Sequence, residues 1–255
     1  IVFLGESSGA RIPESMGAAG MGASGGDPTQ YMRLRETPWA AAVLGSCYGS
    51  SSWYTCLADF KVMRNGALMS VSSPRLVEQA TGQAVDAEAL GGWRLHYETT
   101  GLVDVVVDTD EEAIDAIRRF LSYLPSHANE PPPVAPVPPG SGDAAQSVGA
   151  LLPASRTQVY DVRRVIRAIV DRDSFFELKA AFGKSATIGL ARIAGESVGF
   201  LACNPLFKGG ALEVGACQKM AQFLVLCDSF NIPVVLLVDT PGFGIGLDAE
   251  RAAAP

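Results

Sequence analysis

The chain has 255 residues, 48% of them apolar and 18% charged, with 20 Lys and Arg against 27 Asp and Glu. Together with a mean hydropathy of +0.20, this excludes wholesale disorder. The net charge of −7 argues against a protein that offers a broad basic face to nucleic acid.

No apolar run reaches the ~18 residues that a membrane helix needs, and no signal peptide opens the chain. Five cysteines (Cys47, Cys56, Cys203, Cys217, Cys227) include no C-x-x-C pair. A disulfide scaffold and a zinc ribbon are both disfavoured, and a reduced, cytoplasmic protein without a metal is expected. Only His96 and His127 are available for histidine chemistry. The chain opens at Ile1 inside an apolar run and stops at Pro255 after a glycine-rich turn, as expected for an excised piece of a longer protein.

The first elements expected are a strand over Ile1 to Leu4, a Gly/Ser turn and a flexible loop around Gly20 to Asp27. The strand Ala40 to Leu44 then runs into a loop of small residues, Gly45 to Ser52. Phe60 to Met63 and Val103 to Val107 read as buried strands. Glu111 to Leu124 reads as an amphipathic helix with Ala113, Ile114, Ile117, Phe120, Leu121 and Leu124 on one face. The proline-rich stretch from Pro125 to Pro153 favours extended, solvated backbone, and divides a first segment, 1–130, from a second, 156–255. In the second, helices are expected over Asp161 to Arg172 and Val214 to Phe230, and strands over Thr187 to Ile193, Ser197 to Cys203 and Val234 to Val238. Such alternation predicts α/β architecture. Residues Val2 to Ala10 also echo Val235 to Phe243: each is an apolar strand ending in an acid, a hydroxyl residue, a spacer and a glycine.

Small residues at Gly45 to Ser52 let a ligand approach the backbone closely, where amide N–H groups can stabilise a developing oxyanion; a tight packed turn explains them equally well. Ser8-Gly9-Ala10-Arg11 has the same character, with a cation that suits a phosphate or carboxylate, or a surface pairing with Glu6 or Glu14. A GTPase reading of Asp239-Thr240-Pro241-Gly242 fails, because Leu178 stands where the phosphate loop before Gly183-Lys184-Ser185 needs a glycine. Phe175 to Ala181 reads as helix there. Gly242, Gly244 and Gly246 do not form a dinucleotide fingerprint. His96 and His127 read as surface or capping residues, the cysteines, Trp53 and Tyr54 as core. Asp171, Asp173 and Glu177 read as a solvated face at a helix start capped by Ser174.

In order along the chain stand Glu6-Ser7-Ser8-Gly9-Ala10-Arg11-Ile12, Gly45 to Asp59, Leu90-Gly91-Gly92-Trp93-Arg94-Leu95-His96 and Leu121 to Pro125. After these come Tyr160-Asp161-Val162-Arg163, Ser174 to Glu177, Ala191 to Gly195, Asn204-Pro205, Gly209-Gly210, Cys227 to Pro233, Asp239 to Phe243 and Glu250. As an ordered set they resemble the carboxyltransferase (β) subunits of biotin-dependent acyl-CoA carboxylases of the propionyl-, acetyl- and methylcrotonyl-CoA type, with this chain a fragment from the middle.

The resemblance implies two crotonase-like spiral domains, both incomplete: 1–130 as part of the N-terminal carboxyltransferase domain, 131–155 as linker and 156–255 as part of the C-terminal one. It implies transfer of a carboxyl group from N-carboxybiotin to the α-carbon of an acyl-CoA through an enolate. The amides of Gly49 and Ser50 would hold the thioester oxygen; Ser8, Gly9, Ala10, Arg11 and Arg192 would bind substrate; Gly242, Phe243 and Gly244 would bind biotin. A biotin carboxylase and biotin carboxyl carrier partner and a hexameric assembly follow in the same way. The chain departs from the family in having Gly49-Ser50 for Gly-Gly and Ser7-Ser8 for Ser-Gly. A decarboxylase or transcarboxylase subunit, or a non-catalytic CoA-binding paralogue, fits the same residues.

Overall fold

The computed structural model describes residues 1–9, 35–155 and 157–251. They fall into two units, Ile1–Arg118 and Arg119–Pro255. The loop expected around Gly20 to Asp27 lies outside the described residues.

The first unit is built on a parallel sheet. Strands β1 (Val2–Ser7), β2 (Ala40–Tyr48), β3 (Phe60–Arg64), β4 (Leu68–Ser70) and β5 (Val105–Val107) are joined by α1 (Ser50–Leu57), α2 (Pro74–Thr81) and α3 (Ala87–Gly91). Helix α4 (Asp110–Leu121) follows. The strand order is β1-β2-β3-β5, with β4 added on the far half of β2. Residues Ala40, Ala41, Ala42 and Val43 are fully buried, as parallel strands covered on both faces require.

Small side chains explain why β2 was underestimated. Gly45, Ser46 and Cys47 have little intrinsic strand preference, so a loop was expected from Gly45. Instead the strand runs on to Tyr48, because Ser46, Cys47 and Tyr48 pair with Leu68, Met69 and Ser70 of β4. Pairing overrides propensity. Along the same sheet, Asp104 is buried and its carboxylate accepts the Lys61 amide at 2.7 Å. Trp53, expected in the core, is 51% exposed. On α4, Ala113, Ile117 and Phe120 are buried as the helical periodicity predicted, while Ile114 is not.

The second unit holds a mixed sheet, β6-β7-β8-β9. Its elements are α5 (Val162–Ile169), β6 (Phe176–Leu178), β7 (Ala186–Ile193), β8 (Glu196–Cys203), α6 (Val214–Ser229), β9 (Val234–Leu237) and α7 (Leu247–Arg251). Strands β6, β7 and β8 are antiparallel, and β9 adds parallel to β8. A core of Val162, Val165, Ile166, Val170, Ala191, Val198, Phe200 and Ala202 joins α5 to the sheet. The helix expected over Phe175 to Ala181 is instead β6, whose residues Phe176 to Leu178 pair with Ile188 to Leu190.

Asp171 is also corrected. It is buried, and its carboxylate accepts the amides of Ala194 and Gly195 at 3.1 and 2.7 Å. Those two residues form the hairpin turn between β7 and β8, both at positive φ, as a two-residue primed turn demands. Ser174 accepts the Arg192 amide at 3.1 Å rather than capping a helix, and Glu177 is bonded by Arg163 at 2.8 Å.

The proline-rich stretch is strapped onto this unit rather than fully solvated. Ala135 donates to Gly195, and the Arg192 guanidinium donates to the Pro133 carbonyl at 2.8 Å. A short 3₁₀ helix, Asp143–Leu151, places Val148 and Leu151 on the core. Extended proline-rich backbone makes no internal hydrogen bonds, so its carbonyls are free to serve these donors.

Lys219 is 1% exposed, and its ammonium donates to the carbonyls of Phe182 and Lys179 at 2.7 and 3.2 Å. Burial pulls its pKa down to about 7, opposed by Glu177. The unfolded chain keeps that proton to much higher pH, so stability should rise between pH 7 and about 10, with the penalty fully present below pH 7. Lys219→Met should flatten this rise. In urea unfolding at pH 7 and 9.5, wild type is expected to gain up to about 3 kcal/mol over the variant.

Candidate functional site

Because β1 and β2 are parallel, both end on the same edge of the sheet, where open α/β sheets bind ligands. Ser7 pairs with Cys47, and a Cβ added to Gly9 would lie 3.8 Å from that of Tyr48. Ser8-Gly9 and Gly49-Ser50 are therefore brought together, as the sequence suggested. Ala10 and Arg11 lie outside the described residues.

Gly49 links β2 to α1 with φ 66° and ψ −129°, the first central position of a type II′ turn, which favours glycine. A Cβ there would meet nothing within 4 Å, so backbone shape rather than crowding selects the residue. Its amide donates to the Val71 carbonyl at 3.1 Å. Of the two amides expected to face a ligand, Gly49's is therefore committed to the protein.

Ser50, exposed at the first position of α1, has no acceptor for its amide among the described residues. Nor does a side chain cap the helix. The hydroxyls of Ser51 and Ser52 turn away, donating to Tyr48 and Gly49 carbonyls at 2.9 and 2.7 Å. Serines usually accept from such amides; here the positive end of the helix is left open.

Beside this turn lies a cavity of about 320 Å³ with a mostly apolar wall. Ser52, Trp53 and Cys56 of α1 form one side, and Met69, Ser70, Val71 and Ser72 the other. Leu90, His96 and Leu102 complete it. Cys56 sits at the exposed rim, and burial of its thiol raises its pKa. Sequence reasoning missed the Met69–Ser72 wall, since nothing local marks it; only its pairing with the end of β2 brings it here.

His96 is corrected from surface to interior. It is 7% exposed, with Nε2 2.6 Å from the Met69 carbonyl and Nδ1 3.3 Å from the Thr100 hydroxyl. Burial lowers its pKa.

Arg192, expected to bind substrate, is bonded to backbone carbonyls. Its guanidinium donates to Ser122, Pro133 and Gly195 carbonyls at 2.5, 2.8 and 2.9 Å and stacks on Tyr123. It ties the proline-rich strap to the β7–β8 hairpin, which spends the donors a substrate carboxylate would need.

The Gly242–Phe243–Gly244 turn is pinned to Leu212, whose amide donates to Gly242 at 2.9 Å and whose carbonyl accepts from Gly244 at 2.8 Å. Phe243 is half exposed. Tyr160 donates to the Asp239 carboxylate at the base of this turn at 2.8 Å, and burial pushes its pKa up to about 12. Among the described residues no cluster of His, Cys, Asp and Glu is arranged to hold a metal.

Residues 1–253 match the carboxyl transferase domain family. The chain belongs to that family. It is 34% identical to the propionyl-CoA carboxylase carboxyltransferase subunit of Haloferax mediterranei over 98% of this chain and 49% of that protein. It is 32% identical to the methylmalonyl-CoA decarboxylase subunit alpha of Veillonella parvula over 98% of this chain and 49% of that one. Among solved structures it superposes on the transcarboxylase 12S hexamer, described with hydrolysed methylmalonyl-CoA bound, with a TM-score of 0.89 at 32% identity. That match covers 99% of this chain and 50% of the other. The α/β, crotonase-like fold expected from the sequence is thereby shown. The chain spans about half the length of these relatives.

Any side chain at Gly49 must adopt its left-handed turn. Gly49→Ala, which clashes with nothing, should still cost about 1–3 kcal/mol through backbone strain, read as a lower midpoint in urea.

Proposed function

We propose that the parent protein is the carboxyltransferase component of a biotin-dependent acyl-CoA carboxylase. The observation that carries this reading is the uncapped start of α1 beside a mostly apolar cavity, at the carboxyl edge of a parallel sheet in a carboxyl transferase chain. Removing a proton from the carbon next to a thioester leaves an enolate with negative charge on oxygen. The Ser50 amide, reinforced by the helix dipole, is placed to stabilise that charge. Gly49 contributes the turn that aims it. The acyl chain lies against Trp53, Cys56 and Val71, and Ser8, Gly9, Ala10 and Arg11 position the CoA portion.

The Gly242–Phe243–Gly244 turn fits a biotin ring. Its backbone is fixed through Leu212, Phe243 offers a flat apolar face, and a Cβ at Gly242 would meet nothing within 4 Å, leaving open space. Carboxybiotin, when bound, supplies the activated carboxyl group and a basic nitrogen. Residues 1–130 and 156–255 are parts of the N-terminal and C-terminal carboxyltransferase domains, with 131–155 between them. A biotin carboxylase and carrier partner, a cytoplasmic location and a homo-oligomer, hexameric like the transcarboxylase 12S match, complete the reading.

The Veillonella relative and the transcarboxylase match support a second reading, decarboxylation or transcarboxylation at the same site. ATP-dependent bicarbonate incorporation into propionyl-CoA by the full-length protein and its carrier partner supports carboxylation. Turnover only from methylmalonyl-CoA supports the reverse. CoA binding with neither activity in the assembled complex indicates a non-catalytic paralogue.

Ser50→Pro isolates the amide. Proline is favoured at the first helical position, so α1 should persist while the donor is lost. A fall of about 100- to 1,000-fold in kcat is expected, with Ser50→Ala near wild type; near-normal kcat in a folded Ser50→Pro protein removes the role from Ser50.

Cys56 supplies a binding test. Maleimide should label it ahead of the buried Cys47, Cys203 and Cys227, and acyl-CoA should protect it more strongly than CoA alone. Equal protection by both would place the acyl chain outside the cavity.

A further inference from the structure

The donor turn at Gly49 is held from one side by the Val71 carbonyl, so the position of Val71 decides where the Ser50 amide points. Val71 directly follows β4, a strand of only three residues, and is itself 71% exposed. Packing of its own side chain therefore contributes little to fixing it. The segment must be fixed by what grips β4.

Two grips are present. On one edge, Leu68 to Ser70 pair with Ser46 to Tyr48 of β2. From the other direction comes the segment 91–100. A Cβ on Gly91 would lie 2.5 Å from the Met69 carbonyl oxygen, so only glycine lets that backbone close in. Five residues on, His96 places Nε2 2.6 Å from the same oxygen. His96 lies within a turn of π-helix, Leu95–Thr99, a distortion that recurs at functional sites. A carbonyl can only accept, so Nε2 carries the proton. The Thr100 hydroxyl, 3.3 Å from the unprotonated Nδ1 and 3.4 Å from the His96 carbonyl, has both as acceptors and so supports that tautomer.

We propose that His96 is a positioning residue for the thioester-binding turn: its Nε2–H holds the Met69 carbonyl, which sets Val71 and, through Val71, the Gly49 turn and the Ser50 amide. This deepens the reading of that turn as an oxyanion site and rests on it. The ring lines the cavity but neither gives nor takes a proton in the reaction; its proton is spent on Met69.

The test uses the full-length protein with its carrier partner and compares His96→Phe, His96→Gln and Thr100→Val. Phenylalanine fills the space without a donor, whereas glutamine keeps an N–H within reach of Met69. His96→Phe should lower kcat about ten- to a hundredfold, the scale of a small misplacement at a reacting centre. KM and CoA affinity should stay within about twofold, since only the oxygen-binding geometry is disturbed. His96→Gln should recover most of the lost kcat. Near-normal kcat in His96→Phe overturns the proposal, and so does an equal loss in the glutamine variant, which would mean that ring packing alone matters. Thr100→Val keeps the ring and frees its tautomer. It is expected to lower kcat severalfold with an unchanged melting temperature, and unchanged kcat there overturns the proposal even where His96→Phe does not fold. Should Ser50→Pro prove neutral, the oxyanion reading itself fails. A severe Ser50→Pro defect beside a neutral His96→Phe rejects only the role of His96.

Discussion

Much of the first unit depends on one strand being shared three ways. The buried first half of β2, Ala40 to Val43, pairs with β1 on one side and β3 on the other. Its last three residues leave β3 and pair with β4, while Cys47 stays paired with Ser7 of β1. No side chain larger than alanine occupies Ala40, Ala41 or Ala42. That lets material pack closely on both faces, as interior density demands. The strand therefore enters Gly49 fixed on two sides. The Gly49 turn thus sits on rigid elements, which hold geometry better than loops do.

The same economy governs the helix that follows. Three serines open α1, and serine at a helix start usually satisfies the free amides. Ser51 and Ser52 instead donate backwards to Tyr48 and Gly49 carbonyls. Those bonds stabilise the turn and keep oxygen lone pairs away from the helix end. An unsatisfied amide in partial contact with solvent costs little, and it becomes valuable when charge develops opposite it. In a chain of net charge −7, a fixed backbone dipole also supplies positive potential without adding a cation that nearby carboxylates would neutralise.

What could be read in the sequence followed the range of the forces involved. Strands and helices with a local apolar pattern were found, among them Phe60 to Met63, the buried side of α4, β7 and β8. The ordered motifs gave the family, and the small-residue turn lies at the carboxyl edge of the parallel sheet. Misreadings came where a distant partner decides the outcome. Gly45 to Tyr48 looked like loop until β4 supplied its ladder, and Phe176 to Leu178 is a strand only because β7 lies beside it. Asp171 and His96 looked like surface residues because a lone polar residue carries no local sign of the backbone group it will satisfy. Arg192 had the chemistry of an anion ligand, but three carbonyls reach it first.

The two histidines sharpen the chemical consequence. His96 has its proton held against Met69, and His127 accepts the Asn129 amide through Nδ1 at 3.1 Å. A histidine placed to shuttle protons needs a nitrogen open to substrate and a pKa near the working pH. His96 offers no open nitrogen, because both ring nitrogens face protein partners, and burial lowers its pKa. What this edge of the sheet presents is therefore electrostatic and positional: an open backbone donor at the start of α1 and an apolar wall beside it.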